Sequence, residues 1–145
     1  MSLPFTDAAR KNLRDAEPKL QANLKKLEEA TGVAGWTFNP DLVAFYGAVR
    51  THGEQDRVGV LLYDVVLGGL TDNIVRLVAD DMCKKDFLEK VPSKVIMLTL
   101  VMPGLEGFNG KCSFADGALT LTLHPLRLVP WDNASHLGED IAQLL

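Results

Sequence analysis

Apolar residues recur at helical spacing in the first part of the chain. One narrow apolar stripe runs along an otherwise charged segment and contains Leu13, Leu20, Leu24 and Leu27. Such a stripe predicts a surface helix that docks along one edge. Thr6 is a suitable N-cap and Gly32 a suitable end. Pro18 either kinks this helix or begins a second one within its first turn.

A second helix is indicated shortly after the first. Residues 35–38 form either a short strand or an anchoring loop. Asn39-Pro40-Asp41 then combines a capping side chain, a proline at the first helical position and an acid, which predicts a helix start. Its buried face is predicted to hold Leu42, Phe45, Tyr46 and Val49. His52 and Gly53 are predicted to end it.

Residues 57–69 form the most apolar segment of the chain. Apolar side chains cover nearly all sides of a helix drawn through them, which favours a central buried helix, with a strand as the alternative. Gly68-Gly69 predicts a break or a close helix crossing. Thr71 is predicted to start a further helix that reaches about Cys83, followed by a short helix over 86–90.

In the last third of the chain, apolar and polar residues alternate, and the helical spacing of apolar residues ends. Residues 95–102 predict one strand. Residues 111–115 and 118–123 flank Asp116-Gly117, which predicts a two-residue type I′ hairpin. That register pairs Ala115 with Ala118. It places apolar side chains on one face of the hairpin and polar side chains on the other. Beyond it, residues 126–130 continue as an extended segment, and residues 137–145 suggest an amphipathic helix.

These elements together predict one α+β domain over residues 1–145. The helical N-terminal two thirds are expected to pack on one face of a small antiparallel sheet of three to four strands in the C-terminal third, built mainly from 94–129. Because only one face of the hairpin is apolar, helices are expected to cover the sheet on one side only.

Composition narrows the classes of protein. The chain has 145 residues, 47% hydrophobic and 23% charged, which excludes intrinsic disorder. No apolar stretch is long enough to cross a bilayer, and the net charge of −4 argues against nucleic acid as a partner. Cys83 and Cys112 form no CxxC pair, and no secretory leader is present, so a cytoplasmic location with reduced thiols is expected.

Few residues lie in sequence patterns that are typical of metal sites, nucleophiles or phosphate-binding loops. The three histidines and two cysteines lack the short spacings of metal ligands, and no nucleophile motif is present. We therefore expect no metal, no cofactor and no recognisable catalytic residue. The glycine-rich stretch 103–110 fits neither known phosphate-binding pattern. It is a flexible connection or, alternatively, a binding loop that presents Phe108 and Asn109.

Two carboxylates interrupt apolar patterns. Asp64 lies within the most apolar segment, and Asp81 continues the stripe of Ile74 and Val78 if that helix persists so far. Buried carboxylates acquire raised pKa values, which general acids and bases need. The alternative is structural. Asp81 then pairs with Lys85 in solvent, and Asp64 shares a polar stripe with Arg57.

Two functional hypotheses follow from these patterns. The first is a non-enzymatic interaction or self-association domain, because no catalytic motif is present and sheet edges must be paired or covered. The second is a small-molecule-binding protein or enzyme with a pocket between sheet and helices, near Asp64, Asp81 or His124. Trp36 and Trp131 are either lids over the core or parts of an interface or pocket rim. Whether the chain is an enzyme stays open at this stage.

Overall fold

The computed structural model describes residues 5–100, 110–123, 141, 144 and 145. In these segments, helices precede most of the strands, and a four-stranded sheet forms largely from the C-terminal part. The α+β class is therefore confirmed. Phe108, Asn109, His124 and Trp131 lie outside the described residues, as do the predicted segment 126–130 and most of the predicted C-terminal helix.

The first helix, α1 (Asp7–Thr31), has the ends that the sequence predicts. The Thr6 side chain accepts from the Ala9 N–H, and Gly32 adopts a left-handed backbone that donates to the Glu28 carbonyl. The helix runs through Pro18 as one element, so no second helix begins there. Leu13, Leu20 and Leu24 are half-buried against the core, while Leu27 is fully buried.

Strand β1 (Thr37–Pro40) precedes helix α2 (Leu42–Thr51). The N-cap of α2 is Asp41, whose side chain accepts from the Ala44 N–H at 3.2 Å. Pro40 was predicted at the first helical position and instead ends the strand. Because β1 lies at an edge of the sheet, a proline without an N–H is tolerated there. The helix ends at His52, as predicted.

A continuous helical stretch follows from Val58 to Leu77. Its middle is π-helical, over Val60–Val66, and the Leu67 N–H donates to the Leu62 carbonyl five residues back. Helix α3 (Leu67–Leu77) continues it directly. The helical prediction is confirmed, and of the two alternatives predicted at Gly68-Gly69 the close helix crossing is observed and the break is not; the predicted new start at Thr71 is wrong. Gly68 lies inside the helix, where a Cβ would lie 3.6 Å from the Asn23 amide nitrogen.

Helix α4 (Asp81–Lys90) is a separate element, not the end of the preceding helix. Asp80 caps it by accepting from the N–H groups of Met82 and Cys83 at 2.9 and 3.0 Å. The predicted helix that reached Cys83 therefore ends six residues early, at Leu77. The short helix predicted at 86–90 is the second half of α4.

The sheet contains β1, β2 (Val95–Leu100), β3 (Gly110–Ala115) and β4 (Ala118–Leu123) in the order β1-β2-β4-β3. Only β3 and β4 are antiparallel, with the predicted register from Cys112↔Leu121 to Ala115↔Ala118. The pairs β1–β2 and β2–β4 are parallel. The sheet is therefore mixed and not, as predicted, antiparallel throughout, because β1 comes from the helical half and β2 pairs in parallel with both β1 and β4.

The inner face of the sheet packs into the helical core. Its central side chains, Ile96, Leu98, Leu119 and Leu121, are fully buried, and Phe45, Leu61, Leu62 and Phe87 from the helices join the same cluster. On the outer face, Lys111 and Ala115 are exposed, and Ser113, Thr120 and Thr122 are half-buried. The prediction of one apolar and one polar face is confirmed in these strands.

Candidate functional site

The two candidate aspartates are exposed and lie on different helical elements. Asp64 lies on the solvent side of the π-helical segment, and Asp81 occupies the first turn of α4. The stripe of Ile74 and Val78 does not extend to Asp81 because α3 ends at Leu77. Arg57 pairs with Glu54 at 3.2 Å, not with Asp64. Neither side chain is therefore the buried carboxylate that the sequence pattern suggested.

An open groove instead lies between α1 and the loop that leads into β1. Its volume is about 360 Å³. Its lining combines polar side chains on one face of α1 with a glycine and an aromatic wall: Gln21, Leu24, Lys25, Glu28, Gly35 and Trp36. The α1 residues recur at helical spacing, so they project from one side of that helix.

Trp36 is held rigidly at this groove. Its indole N–H donates to the Thr31 hydroxyl at 3.1 Å, and that hydroxyl donates to the Leu27 carbonyl at 2.6 Å. The ring also stacks on Phe87, with centroids 5.8 Å apart and planes 18° apart. Only 5% of Trp36 is exposed. These contacts support the prediction that Trp36 closes the core, and they fix one wall of the groove.

Lys94, in the turn before β2, lies close to Gly35. Its ammonium nitrogen lies 3.8 Å from the position that a Cβ would take at Gly35. The Lys94 backbone is left-handed, with φ of 58°, and its carbonyl accepts from the Thr37 N–H at 3.0 Å. A left-handed backbone is uncommon for lysine. The turn before β2 therefore directs this side chain back over the loop of β1.

A second surface is the outer face of the sheet. Thr99 and Thr122 lie side by side there, with hydroxyl oxygens 3.3 Å apart, and the Asn39 amide donates to the Met97 sulfur at 3.5 Å. Val95, Met97, Thr99, Thr120 and Thr122 are all half-buried. Of the strand positions on this face, Lys111 alone carries a charge. The face is uncharged across most of its width and rich in hydroxyl groups.

Among the residues that the structure describes, three ionisable groups have shifted pKa values, and none of them indicates catalysis. Burial, with a smaller effect of Glu17, raises the pKa of Tyr63. The N–H groups at the start of α4, first that of Cys83, lower the pKa of Asp80. Desolvation and the neighbouring Asp80 raise the pKa of the Cys83 thiol, which disfavours the reactive thiolate. Capping and packing account for all three shifts.

Several kinds of site are absent from the described part of the chain. Over these residues, no group of three His, Cys, Asp or Glu side chains is placed to hold a metal ion. Within the same residues, no helix is both long and apolar enough to cross a membrane.

Sequence reasoning selected Trp36 but missed the rest of the groove. Gln21, Lys25 and Glu28 resemble any other solvent-exposed residues of a charged helix, and nothing in the pattern connects them with residues 35 and 36. No family model, curated protein or solved structure matches this chain.

Proposed function

We propose that this protein is a non-catalytic association domain that pairs with a second copy of itself through the outer face of its sheet. The observation that carries the proposal is the distribution of charge. Acids and bases cover the exposed sides of α1 and α4, whereas Lys111 is the one charged strand residue on the outer sheet face. Depletion of charge is the compositional feature that distinguishes the centre of an interface from other protein surface.

A second copy is the occupant that we propose, because the outer sheet face is the surface on which two copies avoid repulsion between carboxylates. The chain carries a net charge of −4, so two copies repel each other over most orientations. Contact through the outer sheet faces brings no carboxylate of the described strands against another carboxylate. Stacked sheets lie about 10 Å apart, and threonine, valine and methionine side chains of this size fill that spacing.

The size of the face sets the expected affinity. Four strands about 4.8 Å apart and about five residues long present roughly 300 Å². Stable protein interfaces bury about 800 Å² on each partner. An interface confined to this face is therefore weak, and the dimer is expected to form at high micromolar concentration, not at nanomolar concentration.

The same proposal includes a cytoplasmic location and no nucleic-acid partner. Neither Cys83 nor Cys112 forms a disulfide, which suits a reducing compartment. The negative net charge disfavours binding to phosphate backbones.

Sedimentation velocity over a concentration series tests the association. The wild-type protein should shift from monomer toward dimer between about 10 µM and about 1 mM, as expected for a weak interface. Thr120→Lys, in the middle of the outer face, should weaken dimerisation at least tenfold by placing a charge there. Thr51→Lys makes the same replacement at the exposed end of α2 and should leave it unchanged.

Two results would contradict the proposal. One is a wild-type protein that stays monomeric throughout the series. The other is a dimer that both lysine variants form as readily as the wild type, which would place the interface elsewhere.

A further inference from the structure

Four residues form a row across the sheet that carries opposite charges at its two ends. Lys111 pairs with Thr122 between β3 and β4, and Thr122 pairs with Thr99 of β2. Asp41 follows β1 and extends its pairing with β2, because the Asp41 N–H donates to the Leu98 carbonyl at 2.9 Å. This row, here named the charged row, contains Asp41, Thr99, Thr122 and Lys111. Three strand spacings of about 4.8 Å separate its two ends by roughly 14 Å.

Both charged ends of this row are available to another molecule. Asp41 and Lys111 are exposed, and neither takes part in the ion pairs found among the described residues. One oxygen of the Asp41 carboxylate accepts from the Ala44 N–H at 3.2 Å, which leaves the second oxygen for a further donor. Because the ends of the row are roughly 14 Å apart, they are too distant to pair with each other within one copy.

The charged row is complementary to its own reversed copy. Its centre is neutral, with the Thr99 and Thr122 hydroxyl oxygens 3.3 Å apart. A two-fold axis that runs along the strands between β2 and β4 turns the row end over end. Each β1 then lies over the partner's β3, and each Thr99 lies over the partner's Thr122. Asp41 of each copy faces the partner's Lys111, so opposite charges meet at both ends.

A two-fold axis across the strands gives a different match. Each strand then lies over the same strand of the partner in the reverse direction. With the axis at Ser113, Lys111 lies over the partner's Ala115, next to Asp116 of the turn. Asp41 lies over the partner's Thr37 and meets no described charge of opposite sign. Charge complementarity along the row therefore favours the axis along the strands.

We propose that two copies associate with the two-fold axis along the strands, so that Asp41 of each copy forms an ion pair with the partner's Lys111. This inference rests on the dimer proposed above and specifies its orientation. Charged pairs at the rim of an interface fix the register and disfavour wrong arrangements more than they add affinity. Lys111 and Asp41 therefore determine which way the second copy lies.

The sign of one substitution tests this orientation by sedimentation velocity. Asp41→Asn keeps a good helix cap and removes the charge. In the wild-type background it should weaken dimerisation about threefold, since the symmetric dimer loses two ion pairs. Lys111→Glu should weaken dimerisation about fivefold, because it replaces attraction by repulsion. In that background, Asp41→Asn should strengthen the dimer about threefold, because it removes the repulsion. A role in helix capping alone would give the same sign in both backgrounds.

Two matched controls separate the ion pair from general effects of charge. Asp116→Asn removes an exposed carboxylate beyond the other end of β3, and it should leave dimerisation of the Lys111→Glu variant unchanged. Lys85→Glu, on the exposed side of α4, changes the net charge as Lys111→Glu does. It should weaken dimerisation less than about twofold, because charges more than about 10 Å apart are largely screened at 0.1 M salt.

The results separate this inference from the dimer on which it rests. A monomeric wild-type protein, or a dimer that Thr120→Lys leaves intact, overturns both. If the wild type dimerises and Thr120→Lys weakens the dimer, the sheet face is supported. The orientation is then wrong if Asp41→Asn acts with the same sign in both backgrounds. Strengthening of the Lys111→Glu dimer by Asp116→Asn, and not by Asp41→Asn, would place the two-fold axis across the strands.

Discussion

The β3–β4 hairpin is held together by residues close to each other in the chain. The contact between α1 and the π-helical segment joins residues that are far apart in the chain. In the hairpin, Ala115 pairs with Ala118 across the two-residue turn. At the helical contact, the Asn12 side chain accepts from the N–H groups of Gly59 and Val60 at 2.8 and 3.0 Å. The Asn23 amide, three turns along α1, donates to the Tyr63 carbonyl at 2.8 Å.

This difference shows two ways of specifying structure. The hairpin depends on local chemistry, since Asp116 and Gly117 both adopt the positive φ that a type I′ turn requires. The helical contact depends on partners 40 to 48 residues away. They supply hydrogen bonds to two N–H groups of the first helical turn, which have no partner within the helix, and to the Tyr63 carbonyl. We therefore expect substitutions at the helical contact to cost more than substitutions at the hairpin turn.

The largest effect is expected for Gly59→Ala. A Cβ at this position would lie 2.5 Å from the Asn12 carbonyl oxygen and 2.7 Å from the Leu13 Cα, and both are backbone atoms. The two helices must move apart, which should lower the free energy of unfolding by about 3 kcal/mol. Urea denaturation measures the change.

Gly47→Ala is the matched control for that substitution. Gly47 lies on the exposed side of α2 with nothing within 4 Å of its added Cβ. Alanine should therefore stabilise the protein by about 0.5–1 kcal/mol through its higher helix propensity. If both variants lose the same free energy of unfolding, the close contact between the helices does not explain the effect of Gly59→Ala.

A smaller loss is expected for Asn23→Ala. Asn23 is 4% exposed, and its removal leaves the Tyr63 carbonyl without this donor. An unsatisfied buried polar group should cost about 2 kcal/mol. Gln21→Ala removes an amide from the exposed side of the same helix and should change the stability by less than about 0.5 kcal/mol. Similar unfolding midpoints in urea for the two variants would argue against the hydrogen bond as a stabilising contact.

The smallest effect is expected at the hairpin turn. Gly117 has φ of 74°, and an added Cβ would lie 3.3 Å from Pro92. Gly117→Ala should therefore lower the free energy of unfolding by about 1 kcal/mol, through backbone strain. Asp116→Asn should stay within about 0.5 kcal/mol, because asparagine accepts the same backbone. If Gly117→Ala proves more harmful than Gly59→Ala in thermal unfolding, the ranking of the two regions is reversed.

The parts of the fold that the sequence predicts are those with local causes. Thr6 and Gly32 end α1 through contacts within four residues, and Asp116-Gly117 fixes the register of the hairpin. The other features have distant causes. The sequence leaves a break and a close helix crossing open at Gly68, and only the position of Asn23 on another helix decides for the crossing. The parallel pairing of β1 with β2 depends on how the helices between them, from α2 to α4, return the chain to the sheet.

The candidate site was less predictable than the fold. Trp36 is recognisable from its residue type, whereas Lys25 and Lys94 become neighbours of Gly35 only after α1, β1 and β2 have assembled. Asp64 and Asp81 were selected because they interrupt apolar patterns, and both prove to be exposed. A role for them in binding stays a prediction, as it does for Phe108, Asn109, His124 and Trp131.

The edge position of β1 has a consequence for the order of folding. Thr37 pairs with Val95, so this edge closes a loop that contains α2, the π-helical segment, α3 and α4. A two-residue hairpin such as β3–β4 forms within about 1–10 µs, whereas long parallel closures are intrinsically slow. Strand β1 should therefore join the sheet late, and the Trp36 indole, which enters the core with it, should become protected from solvent only in the final kinetic phase.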